Sequence, residues 1–223
     1  MTKRSIILLL FSFFTLVNTA WGQYSKWEKN ANYHGIEFKK IRYRKDGKES
    51  LFVNGILKQK TVIDGYPCHK NVTLTKDGRL KFFILAEDFE VAGNLFKKET
   101  QVIIRSNDDF LIYTLYKPVV KGYHIKKTNY KKLFFMGSTN FQLYPKGELK
   151  FFQPAEDIEI EGIRCKPSAV RGGIHLYENG RLKECTSAKD QVIQGKQVGK
   201  NFNLKFNQEG NLTYAKKEKV FGK

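Results

Sequence analysis

The sequence is short of most features that announce an active site. Only 3 Cys and 4 His occur in 223 residues. No two Cys form a C-x-x-C pair, so neither a zinc ribbon nor a thioredoxin-type redox motif is supported. G-x-S-x-G, H-E-x-x-H, P-loop and dinucleotide fingerprints are all missing, which leaves an enzyme reading without a site, a metal or a cofactor. Acidic side chains are also scarce, with 22 Asp and Glu against 40 Lys and Arg. Beyond the first two dozen residues no run is long and apolar enough to span a bilayer, which excludes a later helical membrane segment.

What is present begins with MTKRSIILLLFSFFTLVNTAWGQ. Lys3 and Arg4 make a positive start, Ser5 to Val17 an apolar stretch, and Ala20 with Gly22 the small residues that a signal peptidase accepts. That order predicts a secretory signal peptide over 1–22, cut after Gly22 or alternatively after Ala20. The expectation is an exported chain, periplasmic or extracellular. About 200 residues follow, enough for one large or two small domains. A hydrophobic content of 41% with 14% aromatics argues for a folded core. The formal charge of +18 favours acidic polymers or surfaces as partners, such as acidic polysaccharide, lipopolysaccharide or nucleic acid outside the cell. The plainer alternative is that the charge only keeps the protein soluble.

The chain repeats itself. GRLKFFILAEDFEVAG runs from Gly78 to Gly93, and GELKFFQPAEDIEIEG from Gly147 to Gly162. With Gly78, Gly147, Gly180 and Gly210 as anchors, an alternating apolar trio precedes each and a leucine follows two residues later (Leu80, Leu149, Leu182, Leu212). A second turn closes at Gly93, Gly162 or Gly195. A degenerate copy centres on Asn107-Asp108-Asp109, and a shortened one covers Val53 to Gly65. Period-two alternation running into a glycine turn marks strands entering tight turns. The expected fold is all-β, an elongated sheet or solenoid of about five strand-turn-strand repeats of ~30 residues. A basic segment (23–50) leads into it, and the repeat domain (51–223) carries an insertion near 123–140. The ladders Leu80/Leu149/Leu182/Leu212 and Val91/Val120/Ile160/Ile193 are the expected core.

The duplicated AED raises the question of a catalytic carboxylate pair. A third copy reads AKD, so Asp88, Asp157 and Asp190 recur while Glu87 and Glu156 give way to Lys189. A catalytic pair does not exchange one member for a cation, whereas an Asp that caps turn N–H groups is needed in every copy. The alternative from a different class is a hydrolase of acidic glycans using one of these Asp as its acid; it needs two carboxylates in one cleft. All three Cys occupy slots filled elsewhere by apolar side chains, so buried thiols are the economical expectation. Cys68 with Cys165 is too far apart in the repeat order for a bridge, while Cys165 with Cys185 remains open. Cys68 and His69, being adjacent on a strand, point to opposite faces and make a poor nucleophile–base pair.

Two groups of cations stand out as binding candidates. Lys81, Lys150 and Lys183 each lie three residues past an anchor, flanked by Arg79 and Arg181 one past it. Stacked copies would align them for a line of anionic groups, although lysine on a sheet face also discourages edge pairing. The insertion mixes Lys126, Lys127, Lys131 and Lys132 with Tyr123 and Tyr130, a blend of cations and rings suited to sugars or bases. The stretch FKKIRYRKDGK, Phe38 to Lys48, is a third basic patch.

The units LYENGRLKE (Leu176 to Glu184) and LYPKGELK resemble those of MORN-repeat and YwqK-type antitoxin-like proteins. The likeness holds as a rhythm over 51–216; the period of about 30 and the A-x-D-x-x-I-x-G segment depart from it. The resemblance implies an extended β-hairpin scaffold that contacts proteins or membranes, and it carries over no functional residue. The sequence therefore points to an exported, non-enzymatic binding or scaffold protein, with a protein–protein adaptor as the alternative.

Overall fold

Two kinds of tight turn, both requiring left-handed backbone, organise the chain. In the first, the N–H of Thr75 donates to the Arg79 carbonyl at 2.8 Å and the N–H of Gly78 donates back to Thr75 at 3.0 Å. The same pair of bonds closes the loops 105–109, 144–148, 177–181 and 207–211. In the degenerate copy Asp108, at φ 60°, takes the glycine's place; Asp is among the few side chains that tolerate this region. In the second kind, both central residues have positive φ: Asp64-Gly65, Ala92-Gly93, Lys121-Gly122, Glu161-Gly162 and Gln194-Gly195. That is the type I′ geometry, whose twist matches a two-residue hairpin.

The computed structural model describes residues 23–46, 49–126, 141–166 and 173–217. The expected signal peptide, most of the insertion (with Lys127, Tyr130, Lys131 and Lys132) and the last six residues lie outside them. Among the described residues there is no helix, and most strands belong to one large antiparallel sheet. The chain divides into two compact units, Met1–Lys81 and Phe82–Lys223.

In the first unit, β1 (Gln23–Tyr24) and β2 (Glu28–Tyr33) both pair with β3 (Ile36–Asp46). β3 pairs with β4 (Glu49–Leu57), and β4 with β7 (Asn71–Thr75). A short hairpin of β5 (Thr61–Ile63) and β6 (Tyr66–Cys68) covers the core made by Phe38, Ile41, Val53, Leu57, Val72 and Leu74.

The second unit begins at Phe82, within β8 (Leu80–Ile84), whose Phe82–Ile84 stretch pairs with β11 (Gln101–Ile104) of the hairpin it forms with β12 (Phe110–Tyr113). The sheet then passes to β15 (Phe141–Leu143) and β16 (Leu149–Phe152), and to β19 (Ile174–Leu176) and β20 (Leu182–Ser187). It ends with β23 (Phe202–Phe206) and β24 (Leu212–Lys217). Short hairpins lie between these long ones: β9 (Phe89–Val91) with β10 (Asn94–Phe96), and β13 (Val119–Val120) with β14 (Tyr123–His124). Two more follow, β17 (Ile158–Ile160) with β18 (Ile163–Lys166), and β21 (Gln191–Ile193) with β22 (Lys196–Val198). Their inward residues meet the sheet, as where the Phe96 and Phe141 rings lie 5.8 Å apart.

Both expected ladders are buried, Leu80/Leu149/Leu182/Leu212 in the sheet and Val91/Val120/Ile160/Ile193 in the short hairpins. The side chain before a closing glycine ties the two layers together by accepting a sheet N–H. Asp64 accepts from Leu80 at 2.7 Å, Glu161 from Leu182 at 3.2 Å and Gln194 from Leu212 at 2.8 Å. Asp88 and Asp190 hold their own hairpins, accepting the N–H of Lys98 at 2.8 Å and of Lys200 at 2.6 Å. This N–H, followed by the Lys97 ammonium, holds the Asp88 carboxyl below the usual range. At Asp157 the residue ten further on is Pro167, which has no N–H to offer.

The expectation of three buried thiols fails at two of them. Cys165 and Cys185 form a disulfide with Cα atoms 5.9 Å apart, and only Cys68 is a free, buried thiol. The reason is register: β18 leaves its short hairpin to pair with the end of β20, setting Cys165 opposite Ser187 and diagonal to Cys185. Residues two apart on a strand share a face, so the two sulfurs meet. Burial pushes the Cys68 thiol from 9.0 up to about 12; a bond to the Ile63 backbone opposes the rise and the Asp64 charge adds to it. Burial also raises Tyr33, Tyr43, Tyr66, Tyr123 and Tyr144. Above pH 9 the unfolded chain releases the Cys68 proton while the folded chain keeps it, so stability falls as pH rises toward 12. Urea midpoints at pH 8, 9 and 10 should fall once pH passes 9 and keep falling. A flat profile contradicts the burial of Cys68.

Candidate functional site

The long hairpins of the second unit do not alternate strictly, and this decides what their outer face presents. The register slips at Gln142/Leu143, His175/Leu176 and Lys205/Phe206, leaving one extra residue in each returning strand. Such a bulge lets two consecutive side chains share a face. Leu149 and Phe152 are buried while Lys150 and Phe151 between them are not, and Leu182 and Cys185 bracket Lys183 and Glu184 in the same way. The hairpin β11–β12 has no slip, so Ile112 turns inward without an added residue.

A continuous row of paired residues therefore crosses the face away from the short hairpins. Gln142 lies opposite Phe151, Phe151 opposite His175 and His175 opposite Glu184. Glu184 in turn faces Lys205, and Lys205 faces Tyr214. At strand spacing the row spans roughly 24 Å. Within the row or beside it three ammonium groups each stand over a tyrosine ring: Lys150 over Tyr144 at 5.1 Å, Lys183 over Tyr177 at 5.3 Å and, in the row itself, Lys205 over Tyr214 at 5.9 Å. Two of these rings also brace the neighbouring hairpin, the Tyr144 hydroxyl donating to the Leu176 carbonyl and the Tyr177 hydroxyl to that of Phe206. The Tyr144 and Tyr177 rings are thus fixed platforms rather than loose side chains.

The cations differ in what they already hold. Lys150 donates to the Asp109 carboxylate, whose side chain is 4% exposed. Lys205 lies 3.7 Å from Glu184. Lys183 is exposed and has no carboxylate partner among the described residues. The His175 ring rests on Phe151 at 4.8 Å. Burial holds its pKa below the ordinary value; Glu184 pulls it up, while Lys183, Lys150 and Lys205 push it down. Near neutral pH the imidazole is uncharged.

The other expected site residues are dispersed. Arg79 and Lys81 belong to the first unit. Arg181 is engaged locally, its Nε 3.0 Å from Glu161 and its Nη1 donating to the Glu209 carbonyl. Tyr123 is half-buried with its ring 5.0 Å from Phe152, and Lys126 is exposed, its N–H bonded to the Gln153 carbonyl. Tyr144, Tyr177, Lys205, Tyr214, Phe151 and His175 were not legible as site residues, because only the bulge and the pairing register bring them together. The signal that could have found them is the tyrosine three before the anchor in both LYPKG and LYENG. Among the described residues no group of His, Cys, Asp and Glu is arranged to hold a metal. One shallow polar pocket of about 280 Å³, lined by Glu161, Arg181, Gln194 and neighbours, lies among the turns. No family model, curated protein or solved structure matches the chain.

Proposed function

We propose that this is an exported, non-enzymatic β-repeat scaffold that binds an anionic polymer across the strands of its second unit. The observation that carries the reading is the set of three ammonium groups, each over its own tyrosine on one sheet face. Alternating rings and cations suit a polymer of flat units bearing acid groups, such as an acidic polysaccharide or the sugar–phosphate part of lipopolysaccharide. The Cys165–Cys185 bridge adds weight to export, since such bonds persist in oxidising compartments. The recurring turn bonds and interlayer caps support about five stacked copies in the manner of the MORN and YwqK-type units. A protein–protein adaptor is the second reading, favoured by Leu95, Val119 and Val192, which the short hairpins leave exposed.

The test is binding to a polyuronate, lipopolysaccharide and DNA across a salt series. Lys183 is the cation that a ligand can engage without breaking a fold contact. Lys183→Glu should weaken the preferred polymer about tenfold and lower the salt slope by about one or two. Unchanged affinity and slope would sink the reading and shift the search to a protein partner.

A further inference from the structure

The first unit holds a second cation–aromatic cluster, built from different elements. Lys40 and Arg42, alternate residues of β3, lie on one face of the strand. Trp27, in the link between β1 and β2, covers both, its ring centroid 4.6 Å from the Lys40 Nζ and 4.7 Å from the Arg42 guanidinium carbon. Tyr24 of β1 lies on the same guanidinium at 4.2 Å. The link is anchored to β3: the Ser25 N–H donates to the Tyr43 carbonyl at 2.8 Å, and the Tyr43 N–H to the Ser25 Oγ at 2.9 Å. Lys29, opposite Lys40 in register, adds a further ammonium to this face.

Two features distinguish this cluster from a solvated basic patch. Trp27 and Tyr24 are 40% and 47% exposed, although most of the large apolar side chains among the described residues are buried. Among the described residues Lys29, Lys40 and Arg42 have no carboxylate partner, and the Arg42 Nε is buried without an acceptor. Cations gathered without an acid repel one another, and an arriving anion relieves that repulsion. Trp27 and Tyr24 thus keep part of their rings open to solvent directly beside these cations.

We infer that Trp27, Tyr24, Lys40 and Arg42 form a binding site for an acidic sugar residue, with the sugar ring on Trp27 and its carboxylate on Arg42 and Lys40. Spacing selects the sugar over a nucleotide. The cations lie within 5 Å of the ring centroids, so ring and acid must be adjacent in the ligand. A uronate carries its carboxylate directly on the ring, whereas a nucleotide separates base from phosphate by the ribose. The planar guanidinium favours a carboxylate through paired hydrogen bonds.

Trp27 reports on its own site. The chain has 2 Trp, at positions 21 and 27, so the full chain with Trp21→Phe leaves Trp27 as the sole indole. Its fluorescence is titrated with a galacturonate tetramer, the neutral galactose tetramer and an oligothymidylate. A saturable, salt-sensitive change with the uronate and none with the neutral sugar is expected. Lys40→Gln and Arg42→Gln should each weaken it at least about tenfold, while Lys183→Glu leaves it unaltered. That last variant separates this site from the one in the second unit. If Arg42→Gln loses its far-UV circular dichroism, Lys40→Gln decides. An unmoved signal, an equal response to the neutral sugar, tighter binding of the oligothymidylate, or loss of the signal in Lys183→Glu overturns the inference.

Discussion

Gly147→Ala is expected to destabilise the protein by more than about 4 kcal/mol, while Gly180→Ala at the equivalent turn costs only about 1–2 kcal/mol. Both glycines have left-handed backbone, at φ 90° and 81°, so both pay for the added Cβ. Only at Gly147 does that Cβ meet something, lying 1.7 Å from the Ala92 carbonyl oxygen; at Gly180 nothing is within 4 Å. The obstacle is backbone and cannot rotate away. Asn94 binds the two turns together, its Nδ2 donating to the Ala92 carbonyl at 2.9 Å and to the Gly147 carbonyl at 3.0 Å. An alanine therefore forces the β9–β10 hairpin off the sheet and draws Phe96 away from Phe141. Urea unfolding of both variants measures the difference. Equal losses would mean that the β9–β10 turn does not rest on this glycine.

Lys150→Met should cost about 3–5 kcal/mol, the range for breaking a buried ion pair from one side. The Asp109 carboxylate would remain, 4% exposed, without its ammonium. Lys183→Met, in the matching position of the next hairpin, should change stability by about 1 kcal/mol or less, because it loses only the ring contact with Tyr177. The double variant Lys150→Met with Asp109→Asn should recover much of the loss, since no buried charge is left alone. Thermal or urea melts of the four proteins test this. A Lys150→Met protein as stable as Lys183→Met would show that Asp109 is not sealed. The contrast also bears on function: a binding defect in Lys150→Met mixes ligand contact with fold damage, whereas one in Lys183→Glu does not.

These two pairs of equivalent residues show how far the sequence carries. Strand content, turn positions and both apolar ladders were legible, because alternation and glycine placement are local consequences of backbone sterics and burial. Lys150 and Lys183 were equally legible as one repeated position, and so were Gly147 and Gly180. What separates the members of each pair lies far along the chain: Asp109 is 41 residues from Lys150, and Asn94 is 53 from Gly147. No local pattern encodes such distances.

The candidate faces follow the same division. The sequence by itself determined an all-β chain, two glycine turns in each repeat, the inward ladders and the excess of cations. Only the tertiary structure decided which cations are engaged in ion pairs and which are open to a ligand. It also paired Cys165 with Cys185, because β18 crosses to β20, a register that neither hairpin specifies alone. Likewise the bulges at β16 and β20 moved Phe151 and Glu184 beside Lys150 and Lys183, and Ser25 fixed Trp27 over Lys40 and Arg42. Local sterics set each strand and turn, whereas pairing register is settled by how whole hairpins bury their apolar faces on one another.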